Sequence, residues 1–131
     1  MLNAGEEEDP LSNQIIGAAI EVHKALGPGL LESAYEKCLA HEFALRGIAF
    51  ERQKTMPVVY KGCKLECGFR ADFIVGGCVL VELKSVSDLM PIHSAQVITY
   101  LRLTGCKLGL LINFNETRLK DGLKRIILKP Q

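Results

Sequence analysis

Two short apolar runs, Ala71-Asp72-Phe73-Ile74-Val75 and Val79-Leu80-Val81-Glu82-Leu83-Lys84, stand on either side of Gly76-Gly77. A Gly-Gly pair between such runs is a hairpin signal, because glycine takes the positive φ that a tight turn requires. Loop length then decides which side chains share a face. A two-residue loop at Gly76-Gly77 pairs Val75 with Cys78 and Asp72 with Val81, which puts the two acids on opposite faces. A three-residue loop, Gly76 to Cys78, pairs Val75 with Val79, Phe73 with Val81 and Ala71 with Leu83, so that one face is wholly apolar. The other face then holds Ile74 with Leu80, Asp72 with Glu82, and Arg70 with Lys84. Hydrophobic matching selects this second register, since a slip of one residue would move Phe73 and Val75 onto the charged face.

Two carboxylates and an ammonium on one sheet face are the donor set of a hard divalent cation with a cationic side chain beside it. Such a set is suited to phosphodiester hydrolysis. The ordinary role of charges on a hairpin is to face water. Here Asp72 and Glu82 lie among apolar residues, which argues for a site.

At 131 residues, with 48% apolar and 24% charged residues, the chain fits one globular domain with a core of its own. Its apolar runs, such as Leu108 to Ile112, are far too short to span a bilayer, and its start is acidic rather than signal-like. A cytoplasmic protein without membrane association is expected. The five cysteines, Cys38, Cys63, Cys67, Cys78 and Cys106, form an odd, scattered set that reads as reduced thiols. Cys63 and Cys67 have no second Cys/His pair at zinc-site spacing. The net charge is +1, but four of the 15 acids fall at positions 6–9 and no basic residue precedes Lys24, so residues 10–131 carry +5. That excess is compatible with a phosphate-binding face.

Residues 1–10 read as a disordered acidic tail ended by Pro10, and residues 11–131 as the domain. Apolar positions at helical spacing predict a helix over Leu11–Leu26, capped by Ser12 or Asn13, and a second one after Gly27-Pro28-Gly29 running to about Arg46. Phe50 to Tyr60 reads as a strand in which Pro57 marks an edge or a bulge. Lys61-Gly62 turns it into Leu65 to Val75, and the central hairpin follows. Pro91 opens a helix that Gly105 stops, Lys107 to Asn113 is a further strand, and the chain closes with a β-like run, Ile126-Ile127-Leu128. This order predicts an α/β fold, a mixed β-sheet flanked by α-helices.

The helix from Pro91 carries His93, Gln96 and Tyr100 along one face. Gln96 and Tyr100 have the chemistry to bond a phosphate, a base edge or a bound water, although such pairs also occur on ordinary amphipathic helices. A lone His is usually structural or solvated, which is the reading for His93. Glu32, in the first turn of the second helix, either complements the helix dipole or supplies a third carboxylate to Asp72 and Glu82.

The segment Gly29-Leu30-Leu31-Glu32-Ser33-Ala34-Tyr35 matches the naming motif of the GxxExxY family, a branch of the PD-(D/E)xK nuclease superfamily. The resemblance runs from about Asn13 to Ile127. It continues through Arg70-Ala71-Asp72, Val81-Glu82-Leu83-Lys84, Ala95-Gln96 to Gly105, and Leu110 to Phe114. What it implies is a restriction-endonuclease-like core, a magnesium or manganese ion held by Asp72, Glu82 and the Leu83 carbonyl, and Lys84 near the attacking water. Glu32 matches the family's helical acid, and Gln96 and Tyr100 match a Gln…Tyr pair of related branches. Ala71 stands where the superfamily's name has Pro. The expected activity is metal-dependent cleavage of nucleic acid, with DNA as the substrate. The rival readings are a non-catalytic nucleic-acid- or protein-binding module that keeps the fold, and an assembly protein that pairs through a sheet edge; nothing in the pattern supports a homo-oligomer.

Overall fold

The central hairpin forms in the register that hydrophobic matching selects. In the computed structural model, which describes residues 9–129, β2 (Cys63–Val75) and β3 (Val79–Lys84) pair Phe73 with Val81, Ile74 with Leu80 and Val75 with Val79. The Cys78 N–H closes the three-residue loop on the Val75 carbonyl at 3.1 Å. Gly76 and Gly77 take φ of 59° and 72°, a left-handed pair that side chains would strain.

Around this hairpin the sheet has the order β1-β2-β3-β4-β5, with β1 at Phe50–Tyr60, β4 at Leu108–Asn113 and β5 at Leu123–Ile127. Among the described residues only β3 and β4 are parallel neighbours, and the crossover connection that such a pair requires is a helix. Three helices among the described residues cover the sheet: α1 (Pro10–Leu26), α2 (Glu32–Leu45) and the crossover helix α3 (Pro91–Thr104). Ile15, Leu39 and Phe43 from α1 and α2 bury against Phe73, Val81 and Leu110. On the opposite face Val97 and Leu101 of α3 meet Ile74, Leu80 and Leu111. Every residue of β4 is buried, the pattern of a strand covered on both sides. This is the restriction-endonuclease-like α/β fold in one domain. No helix among the described residues is long and apolar enough to cross a membrane.

Several local signals act as their chemistry dictates. The β1–β2 register shifts between Met56 and Val58, so Pro57 sits at a bulge on an edge strand, where its missing N–H disrupts no ladder. Gly105, at φ 79°, ends α3 and donates to the Leu101 carbonyl at 3.0 Å. The terminal run forms β5, preceded by a 3-10 turn at Leu119–Gly122. Cys38, Cys63, Cys78 and Cys106 are free thiols.

Two expectations need correction. Helix α1 begins at Pro10, and its cap is Asp9, whose carboxylate accepts from the N–H groups of Leu11 (3.0 Å) and Ser12 (3.3 Å); Ser12 is buried and Asn13 is inside the helix. Proline at the first helical position lacks an N–H that would have no partner there, so Asp9-Pro10 is a helix start rather than the end of a tail. The rest of the expected tail, residues 1–8, lies outside the described residues. Secondly, Ala71 does not share the face of Phe73 and Leu83; it packs in the cluster under α3. Strand β1 pairs Arg52 with Phe73 and Lys54 with Ala71, and Gln53 between them has a left-handed φ of 51°. The ribbon turns over at Gln53 and Asp72, and simple alternation fails there.

Candidate active site

The turnover at Asp72 is where the two central strands stop bonding through their main chains alone. One step beyond the Phe73–Val81 pair, the Asp72 N–H donates to Glu82 Oε1 at 2.9 Å, and the Leu83 N–H donates to Asp72 Oδ2 at 2.8 Å. Each carboxylate is thus held by the backbone of the other strand. Glu82 is only 4% exposed and Asp72 is half-buried. Among the described residues no cationic side chain pairs with either, and Asp72 Oδ1 and Glu82 Oε2 accept no protein hydrogen bond.

Burial without a counter-charge favours the protonated forms. Desolvation, followed by the charge of Asp72, pushes Glu82 up to about 8. Desolvation also raises Asp72, to about 6, and the charges of Glu32 and Glu36 add to it. The two backbone N–H bonds and the charge of Lys84 pull in the other direction and do not prevail. Lys84, half-buried, ends β3 opposite Asn113.

Glu32 opens α2, where the helix dipole favours an acid, and its side chain is exposed. Its charge reaches both Asp72 and Glu82. The expected three-carboxylate cage does not close, however: among the described residues no group of three or more His, Cys, Asp or Glu side chains is placed to hold a metal. Three acids converging without a cation would repel one another, and the exposed one is free to stay in water.

The loop that delivers Glu32 is built by Tyr35. Its buried hydroxyl donates to the Gly27 carbonyl at 2.6 Å and accepts from the Leu30 N–H at 3.1 Å, while its ring stacks on Phe114 at 4.5 Å. Gly27 and Gly29, at φ 70° and 97°, make the turn possible. Ser85 Oγ donates to the Leu30 carbonyl at 2.6 Å and ties this loop to the residue that follows Lys84. Tyr35 is therefore a clasp for the helix start.

Helix α3 contributes Gln96 and Tyr100, joined by a bond of 3.1 Å from Gln96 Nε2 to the phenol oxygen. Burial raises the Tyr100 hydroxyl, and the charges of Glu82 and Asp72 raise it further, which places it within the field of the acid pair. His93 serves elsewhere: its Nδ1 accepts from the Met90 N–H at 2.9 Å and caps α3.

Two residues escaped the sequence reading. Glu36, buried one turn after Glu32, accepts from Arg52 Nε at 2.8 Å and Gln53 Nε2 at 2.7 Å. It thereby holds the left-handed residue beside Asp72, and the i, i+4 spacing from Glu32 was the available signal. Asn113, fully buried, donates to the Val86 carbonyl and accepts from the N–H groups of Val86 and Asn115. It pins the segment after Lys84, a role for which its position at the end of an apolar strand was the signal.

The family model of the PD-(D/E)XK nuclease superfamily matches residues 9–126, nearly the whole of the fold just described. The chain belongs to this superfamily. Nucleases of the PD-(D/E)XK superfamily typically use divalent metals and act on nucleic acid. No curated protein matches the chain. A solved structure titled "Crystal structure of SSO0001" is similar to it at 18% identity, covering 92% of this chain and 67% of that one with a TM-score of 0.50. At that identity the likeness speaks for the fold alone.

Proposed function

We propose that the chain is a magnesium- or manganese-dependent nuclease of the GxxExxY branch that hydrolyses DNA phosphodiesters. The observation that carries this reading is the buried Asp72/Glu82 pair, which keeps one oxygen free on each carboxylate and has no cationic side chain paired with it among the described residues. Such an arrangement is costly at neutral pH unless a cation completes it. An all-oxygen donor set with only two carboxylates suits magnesium, which retains waters and completes its shell with substrate phosphate.

Asp72 and Glu82 would hold the cation together with the Leu83 carbonyl. In a strand a residue's N–H and C=O point to the same side, and the Leu83 N–H faces Asp72. When bound, the cation would polarise a phosphoryl oxygen and lower the pKa of water. Lys84 would stabilise the charge that develops on the phosphoryl group, and Gln96 and Tyr100 would orient the substrate from α3. Glu32, near but apart, would act through its charge or through a water.

The test is calorimetric titration of Mg²⁺ and Mn²⁺ into wild type and Asp72→Ala, beside cleavage assays on single- and double-stranded DNA and RNA. Binding and cleavage by wild type, both lost in Asp72→Ala, are expected. Wild type that binds neither ion and cuts nothing would favour the non-catalytic binding module.

A further inference from the structure

Strands β1 and β2 outrun the rest of the sheet. β3 ends at Lys84 and its pairing with β2 stops at Phe73–Val81, whereas β2 continues back to Cys63 and pairs with β1 as far as Tyr60. Residues 63–69 therefore lie beyond the last β2–β3 pair and, held by β1, span about 20 Å at the usual strand rise. This two-stranded arm leaves the sheet at the end where Asp72, Glu82 and Lys84 sit. Its base is braced by Phe69 against Tyr100 at 4.5 Å. Towards its tip Val59, Tyr60 and Leu65 are exposed.

The arm is basic. Residues 54–70 hold Lys54, Lys61, Lys64 and Arg70 against a single acid, Glu66, a net +3 in a chain whose total is +1. Lys54 is taken up by Glu51, and Lys64 lies 3.5 Å from Glu66 with both side chains largely in water, a pair too exposed to hold firmly. Arg70 and Lys61 have no ion pair among the described residues. Lys61 instead lies over the Tyr60 ring, 5.3 Å from its centre, so that ring face is not free to stack on a base. The register puts Val59 beside Lys64 on one face and Tyr60 and Leu65 on the other, so the exposed apolar side chains do not form one patch for a protein partner.

We propose that the β1–β2 arm enters the major groove of duplex DNA, with Arg70, Lys64 and Lys61 neutralising phosphates on the strand that leads to the acid pair. A two-stranded ribbon fits that groove, whereas the deep, narrow major groove of duplex RNA excludes it. The proposal rests on the nuclease reading for the placing of substrate over Asp72 and Glu82, but the arm's grip on DNA needs no cleavage to be measured.

The experiment is fluorescence anisotropy with a short labelled duplex in chelator, over a range of salt, for wild type and Lys61→Ala/Lys64→Ala. The slope of log affinity against log salt should fall by about 2 in magnitude in the double variant, since each phosphate contact releases about one counterion. Wild type should bind duplex DNA more tightly than duplex RNA or single strands of the same sequence. Circular dichroism checks that the variant is folded. An unchanged slope, equal binding of duplex RNA, or a dimer broken by Tyr60→Ala/Leu65→Ala with DNA binding intact would each overturn the proposal. Wild type that binds DNA with the full slope yet cuts nothing defeats the nuclease reading and leaves the arm standing. Cleavage by wild type together with an unchanged slope in the double variant does the reverse.

Discussion

Glu82 and Lys84 differ in what their removal should do, because one is a buried acid with no ion pair among the described residues and the other a cation at the strand's end. Lys84→Ala should leave the fold and cation binding nearly intact and slow cleavage a hundredfold or more, equivalent to about 3 kcal/mol of lost transition-state stabilisation. A protonated amine offers a cation no lone pair, so a variant that loses Mg²⁺ affinity in calorimetry would contradict this role. Glu82 makes a pH prediction whose sign follows from the direction of its shift. Its folded pKa, about 8, lies above the ordinary 4.5, so between those values the folded state holds more protons than the unfolded state and stability falls as pH rises. Asp72 adds a smaller decline between 3.8 and about 6. In chelator, the thermal midpoint of wild type should drop from pH 4.5 to 8, and Glu82→Gln should flatten most of that drop. A midpoint in wild type that is level or rises across this window would show that the pair is not strained.

At the scale of elements, the site depends on two helices being delivered to the same end of β3. Tyr35→Phe keeps the stack on Phe114 but removes the hydroxyl that bridges Gly27 and Leu30. It should cost about 1–3 kcal/mol in urea unfolding, the range for leaving buried partners unsatisfied. A stability equal to that of wild type would mean that water replaces the clasp. On the other side, a Cβ at Gly109 would stand 2.6 Å from Val97 Cγ1, which is why α3 lies so close to β4. Gly109→Val should therefore destabilise by about 1–3 kcal/mol through overpacking. Because α3 carries Gln96 and Tyr100, it should also lower cleavage by more than the unfolded fraction explains. Activity that tracks the folded fraction alone would show that α3 repacks without displacing those side chains.

For the whole molecule, cation binding and folding should be linked, since the unfolded chain has no paired carboxylates to offer. Magnesium at a hundred times its dissociation constant should stabilise wild type by about 2.7 kcal/mol, and Asp72→Ala not at all. At a fixed magnesium concentration the gain should grow with pH up to about 8, because the dissociation constant falls as both carboxylates lose the protons that compete with the ion. Equal thermal midpoints for wild type with and without the ion, at pH 8, would separate folding from the proposed site.

The sequence alone determined what depends on near neighbours. The Gly-Gly turn, the alternation of Phe73, Val75, Val79 and Val81, and the cost of a slipped register place Asp72 opposite Glu82 before any tertiary contact is known. Pro57 and Gly105 are legible for the same reason, since a missing N–H or a missing Cβ acts within a residue or two of itself. Tertiary structure decided the rest. That β3 lies parallel to β4, that Glu36 reaches across to Gln53, and that Asn113 holds Val86 depend on which elements pack together, and no local period encodes those pairings. The turnover at Asp72 is of the same kind: Gln53 takes a left-handed φ that a glutamine does not favour by itself, beside its bond to a buried acid 17 residues away along the chain. Above all, the raised pKa values of the two acids are a property of burial, because a carboxylate in a sequence has water around it until the fold removes that water.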